Sequence, residues 1–128
     1  MPASVLCVTV DTHDPVREAE FWAAALGYDI DRGWEKFGEV AITDPTGAGP
    51  MVLFMTVPEA KTVKNRLHLD IVGAMRMADE VDRLVALGAE VVEVRRDPED
   101  YPEPWTWTVM LDPEGHEFCV GEQLSDRA

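Results

Sequence analysis

The chain has 128 residues, 46% hydrophobic and 28% charged, ordinary values for a single globular domain large enough to bury a core. Its 25 acidic and 11 basic residues leave a net charge of −14. That excess excludes nucleic acid and anionic membrane surfaces as partners, because both are bound through clustered Lys and Arg, and it is compatible with a cationic ligand.

The elements follow in chain order. Val5 to Asp11 is apolar and β-branched, the pattern of a buried strand. Asp14 stands where an N-cap is expected and Pro15 where a helix begins. Ala19, Trp22, Ala23 and Leu26 recur at helical spacing, and Gly27 ends the helix. Three strands are predicted next, over Tyr28 to Trp34, Phe37 to Thr43 and Met51 to Val57. Leu67 to Val72 is a further strand. Met77, Val81, Leu84 and Val85 form a helix stripe that stops at Gly88. Ala89 to Arg95, Trp105 to Leu111 and His116 to Gly121 complete the set, with the acidic, proline-rich run from Arg96 to Pro104 as a loop.

The order is therefore βαβββ twice. The pairs Leu26-Gly27 and Leu87-Gly88 lie 61 residues apart, and the same offset carries Cys7 onto His68. The turns Asp44-Pro45-Thr46-Gly47 and Asp112-Pro113-Glu114-Gly115 lie 68 apart, so the second copy holds seven extra residues. An α+β fold is expected, as one domain over 1–128 with repeat one at about 1–60 and repeat two at about 61–128. No apolar run is long enough to span a bilayer, and the start MPASVLCVTV lacks the basic region of a signal peptide. A cytoplasmic location is expected, where Cys7 and Cys119 stay reduced.

Asp14-Pro15 with Phe21-Trp22 and Leu26-Gly27, then Lys64-Asn65-Arg66-Leu67-His68-Leu69-Asp70, then Asp112-Pro113-Glu114-Gly115-His116-Glu117-Phe118-Cys119, together resemble the vicinal oxygen chelate superfamily. This superfamily includes glyoxalase I, bleomycin-resistance proteins and extradiol dioxygenases, and its glyoxalase-like domain group is the nearest in look. The resemblance implies the paired βαβββ fold with a concave mixed sheet. For metal-using members it implies four ligands from four strands, falling here on Cys7, His68, Cys119 and a position in the strand from Met51 to Val57. The last is usually Glu, and Leu53 stands there. That departure removes a carboxylate which glyoxalase I chemistry uses.

Each candidate has two readings. Cys7, His68 and Cys119 are the donors of a soft or borderline divalent metal such as zinc, or the floor of a dry pocket, since free Cys packs readily as a small hydrophobe. His68 is the strongest single candidate for a ligand contact, or else a structural His bonded to backbone, and Asp70, two residues on along the same strand face, orients its imidazole or raises its pKa. Thr9 alternates onto the face of Cys7. Trp105 and Trp107 share a strand face, to stack on a flat or cationic ligand or to fill a core or dimer interface. Lys64 and Arg66 hold a substrate carboxylate or pair with neighbouring acids.

Two functions stay open. One is a glyoxalase-like small-molecule-binding protein, of the sequestration type seen in bleomycin resistance. The other is a metal-dependent lyase, isomerase or dioxygenase using Cys7, His68 and Cys119. A homodimer is expected, with the Trp-bearing strand as contributor, because such halves leave sheet edges and apolar faces for a partner to cover.

Overall fold

The computed structural model describes residues 1–123 and 126. It divides into two compact units, Met1–Thr62 and Val63–Ala128.

The first unit runs β1 (Cys7–Thr12), α1 (Pro15–Leu26), β2 (Asp29–Asp31), a 3-10 turn (Glu35–Phe37), β3 (Glu39–Thr43) and β4 (Met51–Thr56). Its strand order is β1-β4-β3-β2. β1 and β4 are parallel, and the other neighbours antiparallel. Period-two alternation sorts the side chains. Val40, Ile42, Val52 and Phe54 are buried, as are Ala19, Phe21, Trp22 and Ala23 of the helix that lies on β3 and β4. Cys7, Thr9 and Asp11 stand opposite Met51, Leu53 and Met55 on the other face.

The helix ends form as their residues dictate. Asp14 Oδ1 accepts the Arg17 N–H at 3.1 Å, Pro15 opens the helix, and Gly27 closes it in the left-handed region at φ 71°. Asp14→Ala is expected to cost about 1 kcal/mol of stability, read from urea unfolding, and Asp14→Asn only a fraction of that.

The second unit repeats the topology with β5 (Asp70–Ile71), α2 (Met77–Leu87), β6 (Glu90–Arg96), β7 (Thr106–Leu111) and β8 (Glu117–Gly121), in the order β5-β8-β7-β6. Thr108, Met110, Phe118 and Val120 are its buried sheet residues. The register carries the repeat further than the sequence did. Thr9 pairs with Leu53 in the first unit and Asp70 with Cys119 in the second, so Leu53 and Cys119 are matched stations.

Several expectations need correcting. The predicted strand from Tyr28 to Trp34 ends at Asp31, whose Oδ1 takes the Gly33 N–H at 2.9 Å in a local turn. Trp34 and Phe37 then belong to the 3-10 turn rather than to strands. The strand predicted over Leu67 to Val72 is ladder-paired only at Asp70 and Ile71, with Leu69 O accepting the Cys119 N–H at 3.0 Å. Leu67 itself is exposed.

Of the stripe expected on α2, Met77 and Val81 are half-buried and Leu84 is buried, and Val85 alone falls outside it. Leu84 and Glu80, one turn apart, are buried, while Val85 is exposed. Burial of Glu80 is offset by Arg83, whose Nε donates to Oε2 at 3.2 Å and whose Nη2 donates to Oε1. The N-terminus of α2 borrows its cap from the far end of the chain, where Asp126 accepts the Met77 N–H at 3.1 Å.

The Trp-bearing strand is no edge. β7 lies between β6 and β8, and the outer strands of this sheet are β5 and β6. All seven residues of β6 are exposed, Val91, Val92 and Val94 among them.

Candidate functional site

The second unit carries a cavity of about 500 Å³. The register explains which residues reach it. Leu111 pairs with Glu117, Val109 with Cys119, and Trp107 with Gly121, so these side chains share the sheet face opposite the buried row of Met110 and Phe118. Asp70 joins them as the parallel partner of Cys119. Arg95 joins them from β6, directly opposite Trp107. Glu117, Cys119, Val109, Trp107, Asp70 and Arg95 all line the cavity, as do Lys64, His68, Asp97 and Trp105.

Each wall is held in place. Asn65 donates its backbone N–H to Glu117 Oε1 at 3.1 Å and its side-chain N–H to Glu117 O at 3.4 Å. These bonds tie the segment carrying Lys64 and His68 to the start of β8. Asp97 closes the base of the loop after β6, donating its N–H to Trp105 O at 2.9 Å and accepting the Trp105 N–H on Oδ2 at 3.1 Å. Arg95 is braced by Glu93, which accepts its Nε at 2.6 Å.

His68, Asp70 and Cys119 lie together on this face. His68 Nδ1 lies 3.1 Å from Asp70 Oδ1, within hydrogen-bond distance. One imidazole nitrogen, one carboxylate oxygen and the Cys119 sulfur all lie within 4.8 Å of one another. Cys119 is half-buried. Burial pushes its thiol pKa up, and the charge and hydrogen bond of Asp70 push the same way, against Lys64 and Arg95. Imidazole, thiolate and carboxylate are the donor types of a zinc-class site, so the residues present fit a metal of that class.

The structure brings together His68, Asp70, Cys119, Trp105 and Trp107 of the expected set. Lys64 lines the cavity and Arg66, which is exposed, stands outside that lining. Cys7 and Thr9 stand on β1 of the first unit, where Cys7 Sγ and Thr9 Oγ1 are 3.6 Å apart.

Glu117, Arg95 and Asp97 were not anticipated from sequence. Glu117 was recoverable, because it precedes Cys119 by two on one strand and must share its face. Arg95 was not, because its position depends on the pairing of β6 with β7, which shifts register between Val91 and Glu93.

The chain belongs to the glyoxalase-like domain family, whose model matches residues 7–121, and through it to the vicinal oxygen chelate superfamily. No curated protein matches significantly. Among solved structures it is similar to a glyoxalase/bleomycin resistance protein/dioxygenase family enzyme from Burkholderia phytofirmans, at 17% identity and a TM-score of 0.71, over 93% of this chain and 98% of that one. It is similar also to the fosfomycin resistance protein FosX from Listeria monocytogenes, solved with Mn(II) and a dihydroxypropylphosphonic acid. That match has 16% identity and a TM-score of 0.70, over 99% of this chain and 96% of the other. A third likeness is to a glyoxalase/bleomycin resistance protein/dioxygenase from Alicyclobacillus acidocaldarius, at 17% identity and a TM-score of 0.61, over 97% and 94%. Among the described residues no helix is long and apolar enough to cross a membrane.

Proposed function

We propose that this protein binds a small organic molecule in the cavity of its second unit, with a flat or cationic ligand stacked on Trp107 and Trp105. The observation that carries this reading is the wall itself. Two indoles stand beside three carboxylates, Asp70, Asp97 and Glu117, in about 500 Å³, a volume suited to a small ligand. Lys64 and Arg95 are the opposing cations, and Arg95 is already engaged by Glu93. The net charge of −14 adds a field of the same sign as the carboxylates.

Calorimetry after a ligand screen tests this. Trp107→Ala is expected to cost about 1 kcal/mol or more in affinity if an indole stacks on the ligand. Binding should weaken with salt, because screening acts over roughly 8 Å at physiological ionic strength. A screen returning only anionic ligands, held through Lys64 and indifferent to Trp107→Ala, would overturn the reading.

The grouping of His68, Asp70 and Cys119 favours a second reading, a metal-dependent lyase, isomerase or dioxygenase. A divalent ion there would polarise a ligand carbonyl or hydroxyl oxygen. Asp70 fixes the His68 ring, Trp105 and Trp107 position the ligand, and Glu117, held by Asn65, offers a carboxylate to accept or return a proton. Assembly as a homodimer is also part of the proposal, supported by the exposed outer strand β6.

A further inference from the structure

We infer that Gly121 is a specificity-determining position of the second-unit cavity, leaving a slot beside Trp107 that admits a planar aromatic ring and disfavours a compact cation. The inference rests on the ligand-stacking reading above and narrows its ligand to one that carries a flat ring.

Neither backbone nor packing requires a glycine there. Gly121 closes β8, and its φ lies outside the left-handed region. A Cβ placed on it would meet only Ile71 O, at 3.8 Å, an ordinary van der Waals contact. Glycine inside a strand costs stability, and a use that offsets the cost is the close approach of a ligand. The backbone is held on either side of the position. Val120 is fully buried, Gly121 is the cross-strand partner of Trp107, and the Glu122 N–H donates to Thr106 O at 3.1 Å. The slot is therefore formed before any ligand arrives.

Its dimensions suit a ring. Neighbouring strands lie about 4.8 Å apart, and paired aromatic rings prefer centroid separations of about 4.5–7 Å. A ring seated over Gly121 on β8 thus lies within stacking or edge distance of the Trp107 indole on β7. Cys119 and Val109, one pleat along the same face, extend an apolar floor beneath it. On the far side the ladder of β5 stops at Ile71, the partner of Val120, so no β5 residue pairs with Gly121. A compact ammonium would leave most of this space to water, whereas a planar ring fills it and removes apolar surface from solvent.

The full chain is titrated calorimetrically with two probes of equal charge, N-methylquinolinium and tetramethylammonium. N-methylquinolinium is expected to bind at least about 10-fold tighter, the difference that a stacked, buried ring makes. Gly121→Ala should weaken it about 3-fold and Gly121→Leu at least about 10-fold, as the added side chain takes the place of the ring. Gly121→Ala should keep or raise the thermal unfolding midpoint, because the backbone accepts a side chain at this position. That variant decides alone where the leucine variant does not fold. A lowered midpoint in Gly121→Ala would give the glycine a structural role and overturn the inference, as would equal affinity for the two probes. Unchanged N-methylquinolinium affinity in the Gly121 variants, with Trp107→Ala still weakening it, overturns the slot and leaves the stacking reading standing. Binding indifferent to Trp107→Ala, or no binding of either probe, overturns both.

Discussion

Phe118→Ala is expected to lower the stability of the fold by about 3–5 kcal/mol, the usual cost of removing a fully buried ring and leaving a cavity. Phe118 is 1% exposed, lies in β8 opposite Met110, and shares the buried sheet face with Thr108 and Val120. The consequence extends to the site, because Glu117 and Cys119 flank Phe118 and depend on the same strand for their aim. Chemical denaturation read by near-ultraviolet circular dichroism measures the loss. A change below about 1 kcal/mol would show that β8 is not anchored through this residue. Phe118→Leu, which keeps most of the volume, should cost less than the alanine variant.

Leu84→Ala is the second large expected effect, at about 2–5 kcal/mol. Leu84 is 0% exposed and is the only apolar residue of α2 that is fully buried. The other buried residue of the helix, Glu80, is held by Arg83. With so much of the helix's apolar contact vested in one side chain, hydrogen exchange across Met77–Leu87 should accelerate in Leu84→Ala. The neighbouring Val85 is 45% exposed, and Val85→Ala should change stability by no more than about 0.5 kcal/mol. Equal effects at the two positions would mean that Val85 packs inward with the rest of the stripe.

Those two residues also mark how far periodicity carries. A stripe of Met77, Val81, Leu84 and Val85 locates a helix correctly and leaves the edge of its buried face open, because neighbouring apolar positions lie within one broad face. That edge is set by packing, and here packing takes Glu80 and Leu84 inward, with Arg83 compensating the buried charge. Capping is more local and was legible. Asp14, Pro15, Gly27 and Gly88 act within one turn of their own backbone, and each stands at the helix end where its chemistry places it.

The sequence by itself determined the βαβββ order twice over, the helix boundaries at Gly27 and Gly88, and the closeness of His68 to Asp70. All of these depend on separations of a few residues or on internal similarity, which a linear chain displays. Tertiary structure decided what depends on strand register. Parallel pairing of β5 with β8 set Asp70 against Cys119, 49 positions away, and antiparallel pairing across a bulge set Arg95 against Trp107. A one-residue slip in either ladder would turn every one of these side chains to the opposite face, so no local pattern could specify the cluster. The same ladders placed β7 between β6 and β8 and set Trp107 on the sheet face that lines the cavity.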